Sequence, residues 1–140
     1  MTNGETRKPG ERIVPNIEQM AYADRLNSQR SNFPVAKWRT AGERGWELYS
    51  KANCDRAESI LHKLIDGLID VGEAAPEAKK VALFKKSVEA LNELNDETEM
   101  IETGEREDLC ELLDQIATDC GIDPGKYGNG EGLATEWRDW

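Results

Sequence analysis

The chain has 140 residues, of which 38% are hydrophobic and 33% are charged, and its formal net charge is −10. This composition is too apolar for a chain that stays unfolded, and the length suits one domain with its own core. No apolar run approaches the roughly 20 residues that span a bilayer. Residues 1–15 lack the apolar core of a signal peptide, so we expect a cytoplasmic protein that does not bind membranes. The negative charge also weighs against direct binding of nucleic acid, whose phosphates it would repel.

The N-terminal part of the sequence predicts a tail followed by a short helix. Residues 1–15 combine Gly and Pro with polar side chains, which is typical of a flexible tail, and residues 16–140 would then form one acidic helical domain. Apolar residues at helical spacing predict a weakly amphipathic helix within Ile17–Arg30. Pro34 follows a break in this pattern and suits the first turn of the next helix.

The next predicted helix, from about Val35 to Lys51, carries aromatic rings and glycines along one face. At about 100° per residue, its members fall within roughly a third of the helical circumference. They are Trp38, Gly42, Gly45, Trp46 and Tyr49. Glycines between large rings let a second backbone approach closely, so we predict that this face packs in the core. The alternative is an exposed aromatic binding face.

The helix after it has a broad apolar stripe. Asn53 is placed to cap its N-terminus, and the pattern continues to about Val71. The stripe covers nearly half of the circumference, which is typical of a central helix with neighbours on two sides. His62 lies at the edge of the stripe with no pairing of nucleophile and base around it, so we expect a boundary residue and not a catalyst.

Two more helices complete a predicted all-α bundle of four to five helices. One starts at Pro76 and ends near Asn95. A charged turn over residues 96–104 follows, and the last long helix then opens with acidic residues, which complement the positive end of a helix. We expect it to stop at Gly121, because glycine readily adopts the left-handed conformation that ends many helices.

The cysteines indicate neither disulfides nor a metal site. Cys54, Cys110 and Cys120 are odd in number and lack C-x-x-C spacing. Each occupies a position where a small apolar residue would serve, so we expect buried free thiols. We accordingly expect no metal and no cofactor.

The strongest functional signal is an acidic block that runs from Glu89 to Asp123. It contains thirteen carboxylates and one basic residue, Arg106, so its net charge is −12. Apolar residues keep helical spacing within the block, which predicts that the carboxylates lie on outward-facing surfaces of folded helices. A folded surface of one sign steers partners of the opposite charge.

We therefore expect a small acidic protein that binds a basic surface or active site of another protein, such as a toxin or a nucleic-acid-handling enzyme, and inhibits it. In size and charge the chain resembles immunity proteins that neutralise bacterial toxins, and also phage-encoded blockers of nucleic-acid-binding defence enzymes. That resemblance implies that the carboxylates replace substrate phosphates or pair with basic residues of the partner. The acidic residues expected to bind are Glu93, Asp96, Glu97, Glu107, Glu111 and Asp114.

Two tryptophans, Trp137 and Trp140, close the sequence and would lie near one face of a helix. Tryptophan is favoured both in cores and as an anchor at interfaces. The pair is therefore predicted either to dock into the bundle or to anchor the partner, and we include both residues among the candidate binding residues.

Two other functions stay open. Glu93-x-x-Asp96 and, after fourteen residues, Glu111-x-x-Asp114 resemble the paired acids of all-α nucleotide pyrophosphatases. The resemblance implies that these four carboxylates hold Mg²⁺ against the phosphates of a substrate. Helical geometry instead points both pairs to solvent. The other alternative is a scaffold whose acidity serves solubility alone.

Overall fold

The computed structural model describes residues 21–45 and 47–140. Within them the chain forms five α-helices and several short 3₁₀ turns without any β-strand, so the predicted all-α bundle is confirmed. The helices are α1 Tyr22–Ser28, α2 Val35–Glu43, α3 Lys51–Val71, α4 Glu77–Thr98 and α5 Thr103–Asp119. The tail predicted over residues 1–15, the start of the predicted Ile17–Arg30 helix, and Trp46 lie outside the described residues.

Helix α3 is central, as its broad apolar stripe predicts. It packs along α4, and α1 and α2 lie against it as well. Leu61, Ile65 and Leu68 of α3 are buried in the core. Helix α5 packs against α1 and adds Leu113 and Ile116 to the same core.

Helix α2 is shorter than predicted, because the chain turns at Arg44 and Gly45 instead of continuing to Lys51. Gly45 has a φ of 103°, a left-handed conformation that favours glycine. A 3₁₀ turn at Glu47–Tyr49 follows, which brings the chain back towards the helix it has just left.

The close approach predicted at the glycines occurs at Gly42, and the backbone that approaches is that of Tyr49. A Cβ atom at Gly42 would lie 2.1 Å from the carbonyl oxygen of Tyr49. The rings of Trp38 and Tyr49 stack, with centroids 6.1 Å apart and planes at 12°. Because both rings are buried, they belong to the core and not to the alternative exposed binding face.

The predicted N-cap of α3 is wrong by one turn. Ser50 is the N-cap, and its hydroxyl oxygen accepts the backbone N–H of Asn53 at 3.2 Å. The Asn53 side chain instead donates to the carbonyl of Leu48 at 2.9 Å. Asn53 therefore ties the preceding turn to the first turn of α3.

Helix α4 continues to Thr98, so the charged turn predicted to begin at Asp96 is shorter than expected. Glu99 ends the helix in the left-handed conformation, with a φ of 57°. Asn95 helps to fix the exit of the chain, because its Oδ1 accepts the N–H of Ile101 at 2.8 Å. One predicted binding residue, Asp96, consequently sits on a rigid helix.

Helix α5 stops at Gly121 and has an acidic first turn, as predicted, but it begins at Thr103, inside the predicted turn. At its start the side chains of Glu102 and Glu105 accept each other's backbone N–H groups in a capping box. At its end Gly121 has a φ of 95°, and the N–H of Ile122 returns to the carbonyl of Ala117 at 2.8 Å. This pairing is the Schellman arrangement that stops a helix.

A buried lysine connects three parts of the bundle. Lys80 of α4 is 6% exposed, and its Nζ donates to the carbonyls of Glu73 and Cys120, both at 2.8 Å. The same ammonium lies 5.2 Å from the centroid of the Tyr22 ring. The Tyr22 hydroxyl in turn donates to the carbonyl of Leu68 at 3.0 Å, and burial raises the pKa of Tyr22 to about 12.

Residues 127–140 form a segment that lies between α4 and α5. Its 3₁₀ turn at Ala134–Glu136 contacts both helices, and Leu133 and Ala134 are buried. The segment therefore covers part of the two helices that carry the acidic block.

Candidate protein-binding surface

Helices α4 and α5 turn most of the predicted binding carboxylates to solvent. Glu93, Asp96 and Glu97 are exposed on α4, and Glu107 and Glu111 are exposed on α5. These five placements agree with the outward orientation that helical periodicity predicts.

Ion pairs neutralise two carboxylates of the acidic block. Glu97 pairs with Arg56 of α3 at 2.8 Å, and Asp108 pairs with Lys37 of α2 at 2.8 Å. Pairs of this partly exposed kind contribute at most about 1 kcal/mol to stability. They do reduce the local field, so Glu97 offers a partner less charge than its neighbours do.

Other carboxylates keep their charge uncompensated. In the described part of the chain, Glu93, Asp96 and Glu107 have no basic side chain within ion-pairing distance. Glu111 accepts from the neutral amide of Gln115 at 3.4 Å. Their negative potential is therefore directed into the solvent.

Asp114 does not face solvent as predicted, because residues 127–140 cover it. Its Oδ1 accepts the backbone N–H of Leu133 at 3.3 Å. A Cβ atom on Gly132 would lie 2.8 Å from both carboxylate oxygens. Burial raises the pKa of Asp114, and the hydrogen bond from Leu133 opposes that rise. Asp114 thus holds residues 127–140 on α5. Helical periodicity did not predict this, because the residues that cover Asp114 lie outside α5 in the sequence.

We expect Asp114→Asn to stabilise the protein at neutral pH relative to the parent. The raised pKa means that folding disfavours the ionised carboxyl. This penalty is absent below the unfolded pKa of about 3.9 and complete once the pH exceeds the folded pKa. Urea unfolding between about pH 3 and pH 8 should therefore show the advantage of the asparagine variant growing as the pH rises from about 4.

Asp114→Ala is the matched control, because it removes the acceptor of the Leu133 N–H without a replacement. Leaving that buried N–H unsatisfied should cost about 1–3 kcal/mol. A difference between Asp114→Asn and the parent that does not vary with pH would contradict the role of the covered carboxyl.

An asparagine on α4 holds the other side of the same segment. Asn92 Nδ2 donates to the carbonyl of Trp137 at 3.0 Å, and Asn92 Oδ1 accepts the N–H of Asp139 at 3.2 Å. Together with Asp114, this amide fixes the segment to both acidic helices. No local pattern in the sequence selects Asn92, because its role depends on residues more than forty positions away.

The tryptophans dock into the bundle, which was one of the two predicted alternatives. Trp140 is 8% exposed, and Trp137 is half-buried against the core. The Arg138 guanidinium lies 5.8 Å from the centroid of the Trp140 ring. In this arrangement Trp140 adds to the packing and presents almost no surface to a partner.

The same segment adds two carboxylates that sequence analysis did not select. Glu131 and Asp139 are exposed, and the segment that carries them lies between α4 and α5. They add two negative charges to those exposed on the two helices. We call the following exposed carboxylates the acidic surface: Glu93, Asp96, Glu107, Glu111, Glu131 and Asp139.

The four acids of the pyrophosphatase-like pattern are not brought together. Glu93 and Asp96 are exposed on α4, whereas Glu111 is exposed on α5 and Asp114 is turned under Gly132. Across residues 21–45 and 47–140, no group of three or more His, Cys, Asp or Glu side chains is placed to hold a metal ion. These four carboxylates are therefore not placed as the shared Mg²⁺ ligands that the resemblance implied.

His62 occupies the boundary position that the sequence predicts. Its Nδ1 accepts from Arg30 at 2.6 Å, and Arg30 also pairs with Asp66 at 2.6 Å. The imidazole ring packs 4.9 Å from the ring of Phe33. These contacts link the turn after α1 to the surface of α3.

The three cysteines are free thiols, as predicted, but Cys110 is only half-buried, whereas burial was expected for all three. Burial raises the pKa of Cys54 and Cys110, and it raises the pKa of Cys120 to about 11. A thiol is a poor nucleophile until it ionises, so none of the three is activated at neutral pH.

Comparison of the chain with protein-family models, curated proteins and solved structures gives no match. Each helix in the described ranges is too short or too polar to cross a lipid bilayer. Any functional inference therefore rests on the chemistry of the surfaces described above.

Proposed function

We propose that this protein binds a basic surface or basic active site of another protein through its acidic surface and blocks access to that site. The observation that supports the proposal is the set of exposed carboxylates on α4 and α5 that have no cationic partner among the described residues. A surface of this kind attracts Lys and Arg side chains and repels polyanions.

The spacing of these carboxylates adds a second argument. Glu89 and Glu93 are four residues apart on α4, and Glu107 and Glu111 are four residues apart on α5; all four are exposed. Like charges at this spacing destabilise a helix by about 0.2–0.5 kcal/mol per pair. Basic side chains of a partner would relieve this repulsion. Binding of such a partner would therefore also stabilise α4 and α5.

The form of the surface suits an inhibitor. Its acids lie mostly on two helices, so little backbone entropy is lost when they meet a partner. Within this class we favour immunity against a bacterial toxin, because a neutraliser needs only a surface that occludes the basic site. Charge complementarity of this kind acts mainly on association rate and specificity.

Reversing three carboxylates tests the proposal. We expect Glu93→Lys combined with Glu107→Lys and Glu111→Lys to slow association with the partner at least tenfold at low salt, since steering contributes about 10–10³-fold to such rates. The partner is first captured from the cells that encode the protein and identified by mass spectrometry. Association is then followed by stopped-flow fluorescence at several salt concentrations.

The matched control reverses three exposed acids on α1, α2 and α3, outside the acidic surface: Asp24, Glu43 and Asp70. It changes the net charge by the same amount, so it should slow association much less. Urea unfolding of both variants checks that they fold. An association rate that is unchanged in the first variant, or equally slowed in the control, would sink the proposal.

A further inference from the structure

An apolar groove of about 360 Å³ runs between α3 and α4. None of the carboxylates of the acidic surface lines it, although Glu93 lies one turn beyond the lining residue Ala90 on α4. Its lining comes from these two helices alone. Helix α3 contributes Ile60, Lys63, Leu64 and Gly67, and helix α4 contributes Leu83, Lys86, Ser87 and Ala90.

The two sets of lining residues have the same spacing. Each set occupies positions i, i+3, i+4 and i+7 of its helix, which is the pattern of one helix face. A Cβ atom on Gly67 would lie 3.2 Å from Leu83 Cδ2, so these residues oppose each other. In an antiparallel pair, that register places Ile60 opposite Ala90. The groove is thus a two-helix surface about 10 Å long, which equals two turns of a third helix.

Small and half-buried residues leave this face open. Gly67 and Ala90 give it shallow ends, and both are half-exposed. Ile60 and Leu83 pack against the core but are also half-exposed. A third helix could therefore approach both α3 and α4 closely and bury apolar surface on each.

Two lysines give the groove a charge preference. Lys63 and Lys86 are exposed, and neither has a carboxylate within ion-pairing distance in the described ranges. In the antiparallel register they face each other across the middle of the groove. By contrast, Lys37 and Lys51 are both paired with aspartates at 2.8 Å.

We propose that the α3–α4 groove binds an amphipathic helix of a partner protein whose apolar stripe is flanked by carboxylates. The stripe would pack on Ile60, Leu83 and Ala90, and the carboxylates would pair with Lys63 and Lys86. Recognition of a helix by apolar anchors at i, i+3, i+4 and i+7 is a recurrent mode of peptide binding. This surface selects an acidic partner, so it is independent of the proposed inhibition of a basic one.

Two synthetic peptides of about 18 residues test the groove. They share one leucine stripe at helical spacing, which is flanked by Glu in one peptide and by Lys in the other. We expect the Glu-flanked peptide to shift the NMR amide signals of Gly67, Leu83 and Ala90 and to bind there at least tenfold more tightly. Because the whole protein carries a charge of −10, long-range attraction alone favours the Lys-flanked peptide.

Charge reversal at the groove should invert this preference. The test variant combines Lys63→Glu with Lys86→Glu. The control variant combines Arg44→Glu with Lys126→Glu, which makes the same charge change at two exposed residues outside the groove. The control should keep the preference for the Glu-flanked peptide. Binding at the groove that ignores Lys63 and Lys86, or no shift at Gly67, Leu83 and Ala90, overturns the proposal.

Other occupants of the groove would give different results. Shifts at the same amides that grow with protein concentration, without peptide, would assign the groove to a second copy of this chain. Shifts caused by deleting residues 1–20 would assign it to the chain's own N-terminal segment. Either result contradicts the proposed partner helix.

Discussion

Gly42→Ala should destabilise the protein by about 1–3 kcal/mol, which is the usual cost of forcing extra atoms into a packed site. In most helix interiors the same change is favourable by about 1 kcal/mol. Here the new Cβ would lie 2.1 Å from the carbonyl oxygen of Tyr49, and a backbone atom cannot move aside alone. Urea unfolding followed by far-UV circular dichroism measures the loss.

Displacing Tyr49 should also weaken its contacts with two other residues. Tyr49 stacks on Trp38, and its hydroxyl donates to Glu105 of α5. The near-UV circular dichroism signal of the stacked rings should therefore fall in Gly42→Ala.

A second glycine provides a matched control. Gly104 lies in α5, and a Cβ atom there would meet nothing within 4 Å. Gly104→Ala should therefore be neutral or slightly stabilising. If Gly42→Ala were as stable as Gly104→Ala, the close approach of Tyr49 would not be a constraint on the fold.

The three long helices could be predicted because local sequence determines them. Apolar residues of α3, α4 and α5 repeat at helical spacing, and buried members such as Leu61, Leu91 and Leu113 define one face of each. The helix ends were less predictable. Thr98 closes α4 only because the chain then adopts a left-handed conformation at Glu99, a residue type that rarely does so.

The aromatic face of α2 shows what periodicity misses. The rings and glycines between Val35 and Lys51 fit one continuous helix, so the pattern itself gave no sign of the break. Gly45 reverses the chain, and the backbone that approaches Gly42 belongs to the next few residues instead of another helix. Spacing can predict that glycine admits a neighbour, but it cannot identify the neighbour.

The acidic surface was predictable only in part, for a similar reason. Glu93 and Glu107 are exposed because they lie opposite the apolar faces of their helices. Asp114 has the same helical phase, yet it is covered by residues 127–140, whose short turns have no periodicity. Trp140 is part of that segment and is buried against the bundle. A residue that could have served as an interface anchor therefore belongs to the core.

The two proposed surfaces can be tested separately because they differ in charge preference. The acidic surface favours basic partners, whereas Lys63 and Lys86 favour a partner that carries carboxylates. Reversing Glu107 and Glu111 should therefore leave recognition of the Glu-flanked peptide at the groove intact. Conversely, Lys63→Glu with Lys86→Glu should leave binding of the basic partner at the acidic surface intact.

Lys80→Met should destabilise the protein by about 2–4 kcal/mol, because it removes the charged donor of two hydrogen bonds. Methionine keeps a long apolar side chain but leaves the carbonyls of Glu73 and Cys120 without this donor. The Cys120 carbonyl lies just after α5, where the last carbonyls of a helix lack intrahelical partners and a cation is favoured. The change also removes the contact between the ammonium and the Tyr22 ring.

The neighbouring lysine separates this effect from the loss of one positive charge. Lys79 is exposed, and a surface substitution of this kind usually changes stability by less than about 0.5 kcal/mol. Urea unfolding of Lys80→Met and Lys79→Met should therefore differ by several kcal/mol, although both remove one charge from α4. Amide hydrogen exchange should show the largest loss of protection near Glu73, Cys120 and Gly121. Equal stability of the two variants would mean that Lys80 does not join α4 to the end of α5.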